Sequence, residues 1–138
     1  MKTKTIPIDE IEIGMSESLE YVVTDENIFK FAQISGDSNP IHLDEEYAKS
    51  TRYKKRIAHG MMSASLFSSI FGTRLPGVGC VYVSQNIRFL KPVYISDLVR
   101  VTVKVIGIDQ IKRRVFFRTS CFVGNKMVID GEAEIYIP

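Results

Sequence analysis

The feature that most constrains the fold is a change of period in the apolar pattern near residue 75. From residue 59 to residue 71 nearly every side chain is apolar or small, which predicts a helix that is buried on all sides. Residues 75–79 form a turn, and apolar residues then recur at every second position, which predicts strands. The clearest alternation contains Val99, Val101, Val103 and Val105. One buried helix followed by strands must pack on one face of a sheet, so we predict an α+β fold with about five antiparallel strands.

Upstream of this helix, the sequence predicts a strand over residues 18–23 and then a shorter helix. Thr24 is a suitable N-cap, and Gly36 can adopt the left-handed conformation that ends a helix. Pro40 cannot continue that helix, so residues 37–43 are predicted to be a fixed loop. The basic residues 51–56 are then expected to form an exposed connector.

Size and charge narrow the possible classes of protein. With 138 residues, 45% of them hydrophobic, the chain is predicted to be one domain over residues 1–138. A net charge of +2 with interspersed signs does not favour nucleic-acid binding. No apolar run reaches the roughly 18 residues of a membrane span, and no secretory signal precedes the domain, so a cytoplasmic location is predicted. Unpaired sheet edges favour a homodimer or a higher homo-oligomer.

The sharpest chemical signal is the segment 36–42, Gly-Asp-Ser-Asn-Pro-Ile-His. Asp37 and His42 could share one water as an acid/base pair, and Pro40 limits the conformations of the chain between them. Spacing alone favours the plainer interpretation that Asp37 forms a turn and that His42 is a surface residue or a hydrogen-bonded core residue. The second histidine, His59, is interpreted as a helix-start residue that bonds the local backbone.

Three other features bear on a ligand. Gly60 lies at the predicted start of the buried helix, where free N–H groups favour a negatively charged oxygen. Ser68 lies on a stripe of small residues two turns later and could orient a carboxylate, or could simply pack. The connector before the buried helix carries four basic residues, Arg52, Lys54, Lys55 and Arg56. These side chains could bind a phosphate group of a ligand, or they could simply be solvated.

Cofactor and metal signatures are missing from the sequence. The two histidines are seventeen residues apart and the cysteines, Cys80 and Cys121, are distant from each other, so no zinc-ligand spacing occurs. Residues 76–79 lack the ending of a phosphate-binding P-loop. We therefore predict neither a metal nor a cofactor, and two reduced, unreactive thiols.

At this point the chain resembles a known family, the MaoC-like (R)-specific enoyl-CoA hydratases. The segments that carry the resemblance are residues 31–44, 58–61, 75–77 and 89–93. The resemblance implies a hotdog fold, in which an antiparallel sheet wraps a long central helix, and a dimer. It assigns water activation to Asp37 and His42, and a backbone donor for the thioester carbonyl to Gly60. The residues it implies as supporting are Ser68, Asn39 and Pro40.

The implied reaction is reversible hydration of a trans-2-enoyl thioester, carried by coenzyme A or by an acyl-carrier protein, to the (R)-3-hydroxyacyl product. Two alternatives remain open from the sequence. Other hotdog proteins are acyl-CoA thioesterases, which direct water at the carbonyl. The same fold could also bind an acyl thioester without catalysis.

Overall fold

The computed structural model describes residues 2–138 and wraps a five-stranded antiparallel sheet around one long helix. A short 3-10 helix at Ile8–Glu10 comes first, and the strands follow the order β1-β3-β4-β5-β2 in the sheet. The helices are α1 (Asp25–Ser35), α2 (Pro40–Leu43), α3 (Glu45–Lys49) and α4 (Gly60–Thr73). The strands are β1 (Ser16–Val22), β2 (Val81–Phe89), β3 (Leu98–Asp109), β4 (Arg114–Val123) and β5 (Lys126–Tyr136). The predicted α+β fold with five antiparallel strands is confirmed.

The sheet has one apolar face and one charged face because its strands alternate. In β3, the four alternating valines that defined the sequence pattern are fully buried. They face α4, whose Phe67, Ile70 and Phe71 are also buried. The opposite face carries ion pairs between β4 and β5, such as Arg118 with Asp130. The core therefore lies between α4 and the concave side of the sheet.

The prediction that α4 is buried on all sides is wrong for the single chain. Met61, Ser65 and Ser68 are exposed, because the sheet covers one side of the helix and leaves this stripe uncovered. Of the small residues that recur every four positions on this helix, Ala64 is buried, whereas Ser68 and Gly72 are exposed.

Local capping signals were confirmed at both ends of α1. The Thr24 side chain accepts a hydrogen bond from the Asn27 N–H, and Gly36 ends the helix with a left-handed φ of 76°. The loop predicted over residues 37–43 needs a correction, since Pro40–Leu43 forms a separate helical turn. Proline is favoured in the first turn of a helix, and the Asn39 side chain caps this turn by accepting from the Ile41 N–H.

The remaining predictions concern thiols and membranes. Cys80 and Cys121 are free thiols, and burial raises the pKa of the Cys121 thiol to about 12, which keeps it protonated. Within residues 2–138, no helix is long and apolar enough to cross a membrane.

Candidate active site

A cavity of about 490 Å³ lies where the segment of residues 37–42, which we call the corner, meets the start of α4. This volume is within the usual range of small-molecule sites. Its polar lining includes Asp37, His42, His59 and Gly60, and its apolar lining includes Phe89 and Ile129. The fold thus brings the two segments singled out by the sequence to one cavity within a single chain.

The corner is held by hydrogen bonds from side chains to nearby backbone. The Ser35 hydroxyl accepts from the Asp37 N–H at 3.1 Å, and the Asp37 carboxylate accepts from the Asn39 N–H at 3.2 Å. The Asn39 side chain then accepts from the Ile41 N–H at 3.3 Å. Each of these bonds joins residues two positions apart, as in a tight turn. Asp37 lines the cavity, whereas Asn39 and Pro40 do not. The corner's geometry is therefore set before a ligand binds.

His42 is buried, with 8% of its surface exposed, and its two ring nitrogens have different surroundings. Nδ1 lies 2.7 Å from the Ile57 carbonyl oxygen, which can only accept, so in the neutral ring Nδ1 carries the proton. Nε2 is then the free base, and it lies 3.9 Å from the nearer carboxylate oxygen of Asp37. That distance is too long for a direct hydrogen bond, so a water beside the two atoms can bind both.

The surroundings of His42 favour its neutral form. Burial is the main cause that lowers the pKa of His42, and a charge on His59 lowers it further. The bond to Ile57 and the charge of Asp37 act in the opposite direction without cancelling the shift. At neutral pH the ring is therefore available to accept a proton.

Arg56, which does not line the cavity, bonds the backbone of His42. Its side chain is 8% exposed, and Nε donates to the His42 carbonyl oxygen at 2.7 Å. The guanidinium also pairs with Asp25, at the start of α1, and with Glu45, at the start of α3. The predicted exposed connector is thus wrong at Arg56, because its charge is satisfied inside the chain by two carboxylates and a carbonyl.

His59, which the sequence indicated would bond the local backbone, instead joins the two walls of the cavity. Its Nε2–H donates to the carbonyl oxygen of Asp37 at 3.0 Å, and Asp37 is twenty-two positions away in the sequence. Its ring stacks on His42 with centroids 3.9 Å apart, and its Nδ1 is buried without a partner among residues 2–138. The sequence reasoning missed this role, although a second histidine next to the Gly60 signal was available to suggest it.

Gly60 is the first residue of α4, and its N–H belongs to the first turn, where N–H groups have no acceptor within the helix. A Cβ at this position would lie 2.5 Å from Cε1 of Phe89, which is closer than real side chains approach. Glycine is therefore required for Phe89 to lie against the helix start. The partial positive charge of the helix end also reaches this part of the cavity.

Ser68 is not brought to the cavity by the single chain. It is exposed on α4, eight residues after Gly60 and so about 12 Å along the helix axis. The serine that lines the cavity is Ser63, which is buried and hydrogen-bonded to the Tyr21 hydroxyl. Burial raises the pKa of Tyr21 to about 12, so this phenol remains protonated. Support of Asp37 by Ser68 stays a prediction.

Asp37, His42 and His59 offer ligand atoms that lie within 4.8 Å of one another, which raises the question of a metal. The two rings are inclined by 28° and stacked, so the lone pairs of their nitrogens lie in nearly parallel planes. Such lone pairs do not converge on one ion, because a metal binds imidazole in the plane of the ring. The arrangement therefore suits a bound water better than a metal ion.

Comparisons with known proteins identify the family of the chain. Residues 9–128 match the family model described as MaoC like domain. The chain is 47% identical to an (R)-specific enoyl-CoA hydratase of Rhodospirillum rubrum, covering 94% of this chain and 90% of that protein. It is 42% identical to a 3-hydroxybutyryl-CoA dehydratase of Methylorubrum extorquens, covering 98% and 86%. Among solved structures, the unliganded R-hydratase PhaJ1 from Pseudomonas aeruginosa superposes with a TM-score of 0.92 at 41% identity, covering 97% and 86%.

Proposed function

Because this chain belongs to the MaoC-like family, we propose that Asp37 and His42 activate the water of a hydro-lyase reaction. The chain is a hydro-lyase with the hotdog fold, and its reaction is the reversible hydration of trans-2-enoyl-CoA to (R)-3-hydroxyacyl-CoA. The family, the fold and the type of enzyme predicted from the sequence are confirmed. The assignment of individual residues to catalytic steps is our proposal.

The observation that carries the assignment is the free Nε2 of a neutral His42, which faces the Asp37 carboxylate across 3.9 Å at the cavity wall. A water bound to both groups has its hydrogen atoms directed at two bases and its oxygen lone pair free. As that oxygen forms a bond with C3 of the enoyl group, the pair takes one proton from the water. A proton returns from the same pair to C2, so that the elements of water add to one face of the double bond.

Negative charge moves to the thioester oxygen while the C3–O bond forms. The Gly60 N–H, at the start of α4, can donate to that oxygen, and the helix dipole stabilises the same charge. A donor that acts mostly on the charged transition state raises the rate more than it strengthens substrate binding. The reaction thus requires two parts of the site at once. The corner must hold the water next to C3, and the start of α4 must lie next to the thioester carbonyl.

The direct experiment follows the enoyl-thioester absorbance of crotonyl-CoA after the protein is added. We expect the absorbance to fall to an equilibrium value, and chiral separation to identify the 3-hydroxybutyryl product as the (R) form. An (S) product, or unchanged absorbance at high enzyme concentration, would contradict the proposal.

The two alternatives are distinguished by a second assay and by the surroundings of His42. A thioesterase would release free thiol from a saturated acyl-CoA such as butyryl-CoA, and we expect no such release. A non-catalytic binder would have no need for a buried, neutral His42 beside a carboxylate, because burial removes the histidine ring from water.

We further propose that two copies associate as a homodimer through β2. This strand is at an edge of the sheet, and it exposes Val81, Val83 and Phe89. An apolar edge strand favours pairing with an identical strand, which would also cover the exposed stripe of α4. Light scattering should give a mass near twice 15.6 kDa. We also propose that the protein is cytoplasmic and that its partners do not include nucleic acid.

A further inference from the structure

We propose that Arg52 and Lys91 bind the phosphate groups of the substrate's thioester carrier at the same cavity. This inference rests on the proposed function, because it concerns the part of the substrate that does not react. Both side chains line the cavity that contains Asp37 and His42, and both are exposed.

The structure separates the basic residues that the sequence grouped together. Arg56 is buried and its charge is neutralised by Asp25 and Glu45, so it is not available to a ligand. Arg52 lies four positions before Arg56 but forms no ion pair with any carboxylate in residues 2–138. The same holds for Lys91 within the described chain. These two charges therefore remain free for an anion that enters the cavity.

The two cations lie on segments that are fastened to each other. Residues 57 and 94 form a β-bridge, and the Ala58 N–H donates to the Val93 carbonyl oxygen at 2.7 Å. The Tyr94 hydroxyl also donates to the Tyr53 carbonyl oxygen at 3.2 Å, next to Arg52. Because these contacts join the two backbone segments that carry Arg52 and Lys91, less backbone freedom is lost when one ligand binds both side chains.

The Arg52 side chain is also partly ordered before any ligand binds. Its guanidinium carbon lies 5.1 Å from the centre of the Tyr53 ring, and Tyr53 lines the cavity as well. Stacking of this kind leaves the edge of the guanidinium free, and that edge matches two phosphate oxygens. Among the described lining residues Asp37 is the one carboxylate, so little negative charge opposes an incoming phosphate.

The ligand chemistry is an organic phosphate on a pantetheine arm. Coenzyme A carries a diphosphate and a 3′-phosphate beyond that arm, whereas an acyl-carrier protein attaches its arm through one phosphodiester. Both carriers offer the shared group, and they differ in the number of charges near it. Truncated substrates can therefore identify which phosphates Arg52 and Lys91 contact.

The test measures kcat and KM for crotonyl-CoA, crotonyl-4′-phosphopantetheine and crotonyl-pantetheine, which has no phosphate. The variants are Arg52→Gln, Lys91→Gln and the double variant. The control Lys49→Gln removes the same charge from an exposed lysine that pairs with Glu46 on α3, away from the cavity. For crotonyl-CoA we expect KM to rise about three- to tenfold in each single variant and more in the double variant, with kcat unchanged. For crotonyl-pantetheine we expect no change, and higher salt should raise KM for crotonyl-CoA more in the wild type than in the double variant.

Each outcome decides something specific. A KM rise with both phosphate-bearing substrates supports binding of the phosphate common to both carriers, and a rise confined to crotonyl-CoA supports binding of the nucleotide part. An equal rise with crotonyl-pantetheine, or no rise with crotonyl-CoA, overturns the proposal. Failure of the wild type to hydrate any of the three thioesters would instead contradict the proposed function.

Discussion

The two walls of the cavity differ in what they present to a ligand. The corner presents side chains, Asp37 and His42, on a segment fixed by local hydrogen bonds. The start of α4 presents backbone, because Gly60 has no side chain and its N–H is free of helical bonding. Each wall also contributes one histidine, and these two rings stack on each other.

His42 and His59 differ in the access of their free ring nitrogen to the cavity, although both are buried. Both are buried, and in both one ring nitrogen bonds a carbonyl oxygen of another segment. In His42 the remaining nitrogen faces the Asp37 carboxylate, whereas in His59 it is enclosed by the chain. Access of the free nitrogen to the cavity therefore separates a candidate base from a residue that positions its neighbours. If this is correct, activity should fall when side-chain groups are removed from the corner. At the start of α4, activity should fall when a side chain is added.

The largest effect is expected at the corner. Asp37→Asn and His42→Ala should each lower kcat by about 10²–10⁴-fold, because each removes one partner of the water. Steady-state hydration of crotonyl-CoA measures the loss, and circular dichroism checks that the fold remains. Asp9→Asn, an exposed carboxylate in the short 3-10 helix, is the matched control. Wild-type turnover in either corner variant would remove the basis of the proposed function.

A smaller effect is expected at the helix start. Gly60→Ala keeps the N–H but places a methyl group against Phe89, so we expect kcat to fall about 10–10²-fold as the donor is displaced. Phe89→Leu in the same chain should restore part of the activity by relieving the contact. Gly72→Ala is the control, since a Cβ there meets no atom within 4 Å. Equal losses in the two alanine variants would show that helix propensity, and not the site, is responsible.

Arg56 tests whether the corner needs support from outside the cavity. Arg56→Lys cannot reproduce the bond to the His42 carbonyl together with two carboxylate contacts. We expect a loss of about 1–3 kcal/mol in the free energy of unfolding, measured with urea, and about a tenfold lower kcat. The matched substitution Arg118→Lys, on the outer face of the sheet, should change both quantities much less. An unaltered kcat in a destabilised Arg56→Lys variant would limit its role to folding.

The smallest change is expected from the second histidine. Burial lowers the pKa of His42, so its neutral form persists below pH 6.5, and the acid limb of kcat/KM should lie below that value. His59→Phe keeps an aromatic ring beside His42 but removes a group whose charge lowers that pKa. The acid limb should therefore move to higher pH, with a few-fold loss of kcat from the lost bond to Asp37. An acid limb at the same pH in both proteins would argue against coupling of the two rings.

The sequence by itself determined the features that depend on near neighbours. The alternating valines of β3 specified a strand with one buried face, and Thr24 and Gly36 marked the two ends of α1, because periodicity and capping act within a few residues. The motif from Gly36 to His42 likewise identified the corner, although not the helical turn that Pro40 begins within it.

Only the tertiary structure decided the contacts between distant segments. Arg56 was grouped with exposed cations, yet it bonds His42 and pairs with Asp25, thirty-one positions away. His59 was assigned to local backbone, yet it bonds Asp37, while Ser68 is exposed in the described chain. A residue's type and spacing state which bonds it can form, but the partner is chosen by how the chain packs. For this protein, the sequence thus supplied the reacting groups, and packing of α1, α2 and α4 supplied the geometry in which they meet.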